Sequence, residues 1–130
     1  MHEKIVGARL PSVAALAYLG DAYHSLYIRK MLVKQGISKS NELNKEALKF
    51  ITAEAQADAY RRIEDMLLDD EREVFRRASN STHLNRPKHA SITDYRYATG
   101  FEAVIGMLVY IEDNERLAAL LGAAHEIKEN

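Results

Sequence analysis

Apolar residues recur at helical spacing along nearly the whole chain, and few positions interrupt the pattern. The first long run spans about Pro11 to Gln35. Pro11 suits a first helical position, where its missing N–H costs nothing, and Gly36 is placed to end the helix in a left-handed conformation. Ser40 or Asn41 can cap a second helix carrying Leu43, Ala47, Leu48 and Phe50. Thr52 either opens a new helical segment or continues that one. Beyond it, Ala55, Ala59, Ile63 and Leu67 form an apolar stripe at helical spacing. Asp70 with Glu73 reads as a capping box for a short helix to about Arg77. From Ala78 to Thr93 the residues Ser79, Asn80, Ser81, Thr82, Asn85 and Pro87 predict a loop. Another helix follows from about Asp94 to Ile111, with Thr93 as its cap. Asp113 or Asn114 opens a last amphipathic helix with Leu117, Leu120 and Leu121. There is no internal repeat, heptad series or sustained two-residue alternation. The pattern predicts an all-α fold, and a chain of 130 residues predicts a single domain over residues 1–130.

Composition narrows the chemistry. Hydrophobic residues make up 47% and charged residues 28%, which argues against disorder. The chain has no cysteine, which removes disulfides, thiol nucleophiles and cysteine-based zinc sites. Absence of cysteine fits a reducing, cytoplasmic setting. Residues 1–10 contain Glu3, Lys4 and Arg9 and no secretory signal pattern. No apolar run reaches the ~20 residues of a membrane-spanning helix. Net charge is −1, so nucleic acid could not be attracted by a general positive field and would need a local basic patch.

Two acids stand out. Asp21 is the only formally charged residue between Arg9 and Arg29, and Glu102 the only one between Arg96 and Glu112. Both helices are apolar nearly all round, so both are expected to be largely buried. A buried carboxylate is costly unless paired, protonated or bound to a metal. Gly20 and Ala17 lie beside Asp21; Gly106, Gly100 and Ala98 lie beside Glu102. Glycine inside a helix costs ~1 kcal/mol relative to alanine, so these positions imply close helix contact or room for a ligand. If the helices cross there, two carboxylates converge with no basic residue nearby in either segment. A hard divalent cation such as Mg2+ is then the natural counter-charge, and it can activate water against a phosphodiester. Acids paired with a distant Lys or Arg leave the same trace, and residue physics alone leaves both readings open.

At these residues the chain resembles the ribonuclease III family. Leu19-Gly20-Asp21-Ala22 is similar to the second half of its signature motif, and Phe101-Glu102-Ala103-Val104-Ile105-Gly106 to its second acidic motif. The nearer resemblance is to the short bacterial Mini-III form, which lacks a double-stranded-RNA-binding domain. It is carried by Ala15–Ala22 with Tyr27-Ile28-Arg29, by Ala53-Glu54-Ala55-Gln56-Ala57, and by Tyr95–Ala103. Ordinary members carry four carboxylates per site; the two further positions are Ala17 and Thr99 here, a reduction that Mini-III shares.

The resemblance implies a ribonuclease III-like helical homodimer and an Mg2+-dependent endoribonuclease, with Mn2+ as a substitute ion. Asp21 and Glu102 would be the catalytic and metal-binding residues. Double-stranded RNA would be cut by metal-activated water to leave 5′-phosphate and 3′-hydroxyl ends. The implied natural substrate is precursor 23S ribosomal RNA, with large-subunit ribosomal proteins as further partners and no membrane.

Residues 76–96 supply the local basic patch. They hold Arg76, Arg77, Arg86, Lys88 and Arg96, with His83 and His89, against the single acid Asp94. Such a patch, rich in Asn, Ser and Thr, suits phosphate and 2′-hydroxyl contacts. Arg76, Arg77, Arg86 and Lys88 are the candidate RNA-binding residues. Asn80 joins them as a family match, while Ser79 stands where the family pattern leads one to expect arginine. His24 is read as a packed or hydrogen-bonded helix residue rather than a general base. Tyr18, Tyr23 and Tyr27 are read as core or dimer contacts, and the acidic run Asp65–Glu73 as a solvated face plus a cap. The rival functions are a non-cleaving structured-RNA-binding or ribosome-assembly protein with a nuclease-like fold, and a helical interaction protein with no RNA role.

Overall fold

The computed structural model describes residues 9–81 and 90–126. These form six α-helices: α1 (Val13–Lys34), α2 (Ser40–Ile51), α3 (Ala53–Ile63), α4 (Asp69–Ser81), α5 (Ile92–Tyr110) and α6 (Asn114–His125). A 3-10 turn, Glu64–Met66, joins α3 to α4. The expected all-α architecture is present, and among the described residues no strand occurs. Among the described residues no helix is long and apolar enough to cross a membrane.

The helix ends show which local signals won. Pro11 does not open α1; Ser12 does, its hydroxyl accepting from the Ala15 N–H at 3.1 Å. A capping oxygen satisfies an otherwise orphaned donor, and Pro11 has no side-chain oxygen to do so. Gly36 has φ +94°, as its placement predicts. Lys39, rather than Ser40 or Asn41, precedes α2, and it makes no side-chain cap. Thr52 starts a new helix, its hydroxyl accepting from Ala55 N–H at 3.2 Å. The expected Asp70–Glu73 box is replaced by Glu71, whose Oε1 accepts from the Leu68 N–H at 2.9 Å. Glu71 is fully buried and takes a two-point bond from Arg116, Nη2 to Oε1 at 2.8 Å and Nε to Oε2 at 2.9 Å. The acidic run is therefore not all solvated face. Helix α4 runs on to Ser81, beyond Arg77, and α5 begins at Ile92 under Ser91 rather than Thr93.

Helix α5 is the centre of the fold and packs against α1, α3, α4 and α6. Its residues Phe101, Ala103, Val104, Ile105, Met107 and Leu108 are all buried. Leu16 of α1 and Leu117, Leu120 and Leu121 of α6 close over them. A second small cluster of Ile28, Leu32 and Ala47 holds α2 to the far end of α1. Burial of α5 follows the expectation; burial of α1 does not. Only the stripe Leu16, Gly20, His24, Ile28 and Leu32 is buried, at four-residue spacing. Tyr18, Leu26 and Val33 are 83%, 61% and 59% exposed. The apolar character of α1 extends all round, but the chain offers it partners on one side only. Tyr18 is thus no core residue, whereas Tyr23 and Tyr27 pack partly against the core.

Candidate active site

The glycines beside the two acids make the crossing of α1 and α5. A methyl group on Gly20 would sit 1.7 Å from the carbonyl oxygen of Glu102. One on Gly106 would sit 1.7 Å from the carbonyl oxygen of Leu16. The two backbones touch, so of the two expected reasons for glycine here the structure shows close helix contact. Gly100 serves a different neighbour: the Phe75 ring of α4 lies 2.4 Å from where its methyl would be. Phe75 in turn stacks on Tyr60 with ring centroids 3.9 Å apart, which seats α4 against α5 just before Glu102.

This crossing brings Asp21 and Glu102 together. Asp21 lies on the exposed side of α1 and Glu102 is half-buried. Burial pushes the Glu102 carboxyl up to about 9, helped by a hydrogen bond with the Asp21 side chain and by its like charge. The Gln56 amide acts in the opposite direction. At neutral pH the Glu102 carboxyl therefore keeps its proton. No ion pair among the described residues involves either acid, so the reading in which a distant Lys or Arg neutralises them finds no support. Among the described residues no group of three or more His, Cys, Asp or Glu could hold a metal. The donor set at the crossing is two carboxylates. It fits an oxygen-seeking cation that retains most of its water, as Mg2+ does when one or two carboxylates bind it.

Behind Glu102 lies a line of polar side chains that the sequence did not single out as a site. Gln56 of α3 places Nε2 3.4 Å from Glu102 Oε2 and 3.2 Å from His24 Nδ1. His24 Nε2 lies 2.8 Å from His125 Nε2 of α6. Burial lowers His24 to about 3 and His125 to about 4, so both rings are neutral across the physiological range. His24 is fully buried and meets Phe101 edge-on at 5.4 Å between ring centroids. It is a packed, hydrogen-bonded residue, as expected, and does not reach the open face of the site. The clue to Gln56 was an amide on the apolar face of an amphipathic helix, four residues before Tyr60.

The basic patch is only partly described. Arg76, Arg77 and Asn80 are exposed on the second half of α4. Arg76 is held by Glu73, Nη2 to Oε1 at 2.7 Å, which offsets its charge. Ser79 is buried and donates to the Arg76 carbonyl at 3.1 Å. Asp94, the one acid of the patch, pairs with Arg61 at 3.1 Å. Arg86 and Lys88, with His83 and His89, lie outside the described residues.

A model of the ribonuclease III domain matches residues 14–113. Mini-ribonuclease 3 of Thermoanaerobacter sp. (strain X514) is 41% identical over 118 residues, covering 91% of this chain and 83% of that protein. Mini-ribonuclease 3 of Streptococcus pneumoniae is 40% identical over 119 residues, covering 90% and 93%. The crystal structure of a Fusobacterium nucleatum protein superposes with a TM-score of 0.81 at 28% identity, covering 91% of this chain and 94% of that one.

Proposed function

Because the chain belongs to the ribonuclease III family, and is therefore an endoribonuclease of that family, we propose that it cleaves double-stranded RNA at a two-carboxylate, Mg2+-dependent site made by Asp21 and Glu102. The observation that carries this reading is the meeting of the two acids at the Gly20–Gly106 crossing, hydrogen-bonded to each other and, among the described residues, in no ion pair with a cationic side chain. The bound cation would offset phosphate charge and lower the pKa of a water, with Mn2+ able to take its place. The protein's part is to fix two oxygen donors on helices whose backbones cannot shift past each other. The Glu102 proton must leave to solvent as the ion enters. Buried packing behind Glu102 keeps bulk water to one side, which strengthens charge interactions at the site.

Arg77 and Asn80 on α4, with Arg86 and Lys88 of the following segment, are proposed to contact phosphates and 2′-hydroxyls. Arg76 would join them on release from Glu73. Tyr18, Leu26 and Val33, exposed on α1, support a homodimer in which two sites line one RNA-binding surface. Precursor 23S ribosomal RNA is the substrate, in a cytoplasmic setting, that the Mini-III resemblance implies. Products would carry 5′-phosphate and 3′-hydroxyl ends.

The test is a pair of variants, Asp21→Asn and Glu102→Gln, assayed on long duplex RNA with Mg2+. Both should lose cleavage by about a hundredfold or more, the scale seen when one charge-stabilising group is removed from an active site, while their helical circular dichroism is retained. Substantial Mg2+-dependent cleavage by either variant refutes the assignment.

A further inference from the structure

The line His125–His24–Gln56–Glu102 draws one side chain from each of α6, α1, α3 and α5, and it ends on the carboxylate proposed to bind the ion. Its polarity follows from donor and acceptor chemistry. Gln56 is 3% exposed, and a buried amide costs free energy unless its groups are bonded. Its Nε2 has two hydrogens and faces two acceptors, His24 Nδ1 at 3.2 Å and Glu102 Oε2 at 3.4 Å. With the amide turned over, its oxygen would face the ionised Glu102 carboxylate of the ion-bound site. Since His24 Nδ1 accepts, its ring proton sits on Nε2 and is donated to His125 Nε2 at 2.8 Å. His125 then carries its own proton on Nδ1. Every donor in the line points toward an acceptor, and reversing any one member leaves two like groups facing each other.

We propose that Gln56 is a positioning residue for the active site: held by the His24–His125 pair, it fixes the rotamer of Glu102 through Oε2 and leaves Oε1 for the cation. This rests on the reading of Glu102 as a metal-binding carboxylate. Two buried neutral polar side chains, backed by the half-buried His125, are an expensive way to fill a space that Leu or Met would fill. Their arrangement accounts for the expense by delivering one hydrogen-bond donor to one oxygen. A site with only two protein ligands gains most from such preorganisation, because neither ligand is steered by a third.

The experiment measures Mn2+ affinity by electron paramagnetic resonance on the whole protein without RNA at pH 7.5. Gln56→Met keeps the side-chain length and removes the donor. It should stay folded by circular dichroism and bind Mn2+ about 10–100-fold more weakly, the range for loss of an outer-shell partner. In a Glu102→Gln background the same change should have no further effect. If Gln56→Met is folded and binds Mn2+ as tightly as wild type while Glu102→Gln does not bind it, the positioning role is wrong and the carboxylate site stands. If Glu102→Gln itself binds normally, both fail. A readout on the unaltered protein removes dependence on the folding of the variant. In 1H–15N spectra the Gln56 side-chain amide should be protected from exchange and shift on Mg2+ addition; an exchanging, Mg2+-insensitive amide overturns the proposal.

Discussion

Replacing Glu102 by glutamine exchanges a protonated carboxyl for an amide of the same shape and deletes one titrating group. In the folded, metal-free protein the carboxyl is raised from 4.5 to about 9. The unfolded chain ionises it above about pH 4.5, whereas the folded chain holds the proton up to about 9. The folded state binds the extra proton throughout that window, so the stabilisation is complete below 4.5 and is lost as pH rises. The slope is about 1.4 kcal/mol per pH unit for one proton. His24 and His125, lowered to about 3 and 4, have the opposite sign. Both histidines are retained in Glu102→Gln, so the difference between the two proteins from pH 6.5 to 8.5 isolates the carboxyl. Over it the wild type should lose roughly 2–3 kcal/mol relative to Glu102→Gln, or about 10 °C in melting temperature for a chain of this size. Thermal melts of both proteins in EDTA at four pH values measure this. Parallel curves for the two proteins would show that Glu102 is ionised in the folded state and would refute a buried, protonated Glu102 beside Asp21.

Other parts of the structure make sharper structural demands. Gly20→Ala or Gly106→Ala puts a methyl 1.7 Å from a backbone oxygen of the facing helix; overpacking of this kind costs about 1–3 kcal/mol or more, read as a lowered urea midpoint. Arg116→Ala strands the fully buried Glu71 and should cost about 3–5 kcal/mol, again by urea titration. Leu26→Glu on the exposed face of α1 should leave the monomer folded and abolish a dimer, judged by light scattering; an unchanged mass would remove that face from the interface.

Much of the helix pattern was legible because it rests on local spacing and short-range caps. The order and type of the helices follow from apolar periodicity, and Gly36 and Thr52 act as their chemistry predicts. Errors fell where two adjacent residues compete for one role. Ser12 outcompetes Pro11 because a hydroxyl satisfies a donor, and Glu71 replaces Glu73 because it also reaches Arg116. The burial of α1 was overestimated because apolarity shows what a face can bury, and not whether the same chain supplies the partner. Asp21, Glu102 and their glycines were visible as local oddities in apolar helices. Whether the glycines served contact or ligand was decided by tertiary geometry alone. Gln56 and His125 were invisible as partners because their contacts to His24 span 32 and 101 residues.

At stake is whether this two-carboxylate crossing cuts duplex RNA with a bound divalent ion. Incubating the purified protein with a long end-labelled RNA duplex, in Mg2+ and in EDTA, tests it most directly. Endonucleolytic fragments with 5′-phosphate ends are expected in Mg2+, none in EDTA, and none from Asp21→Asn. An intact duplex in Mg2+, or equal cleavage with Asp21 replaced, would contradict it.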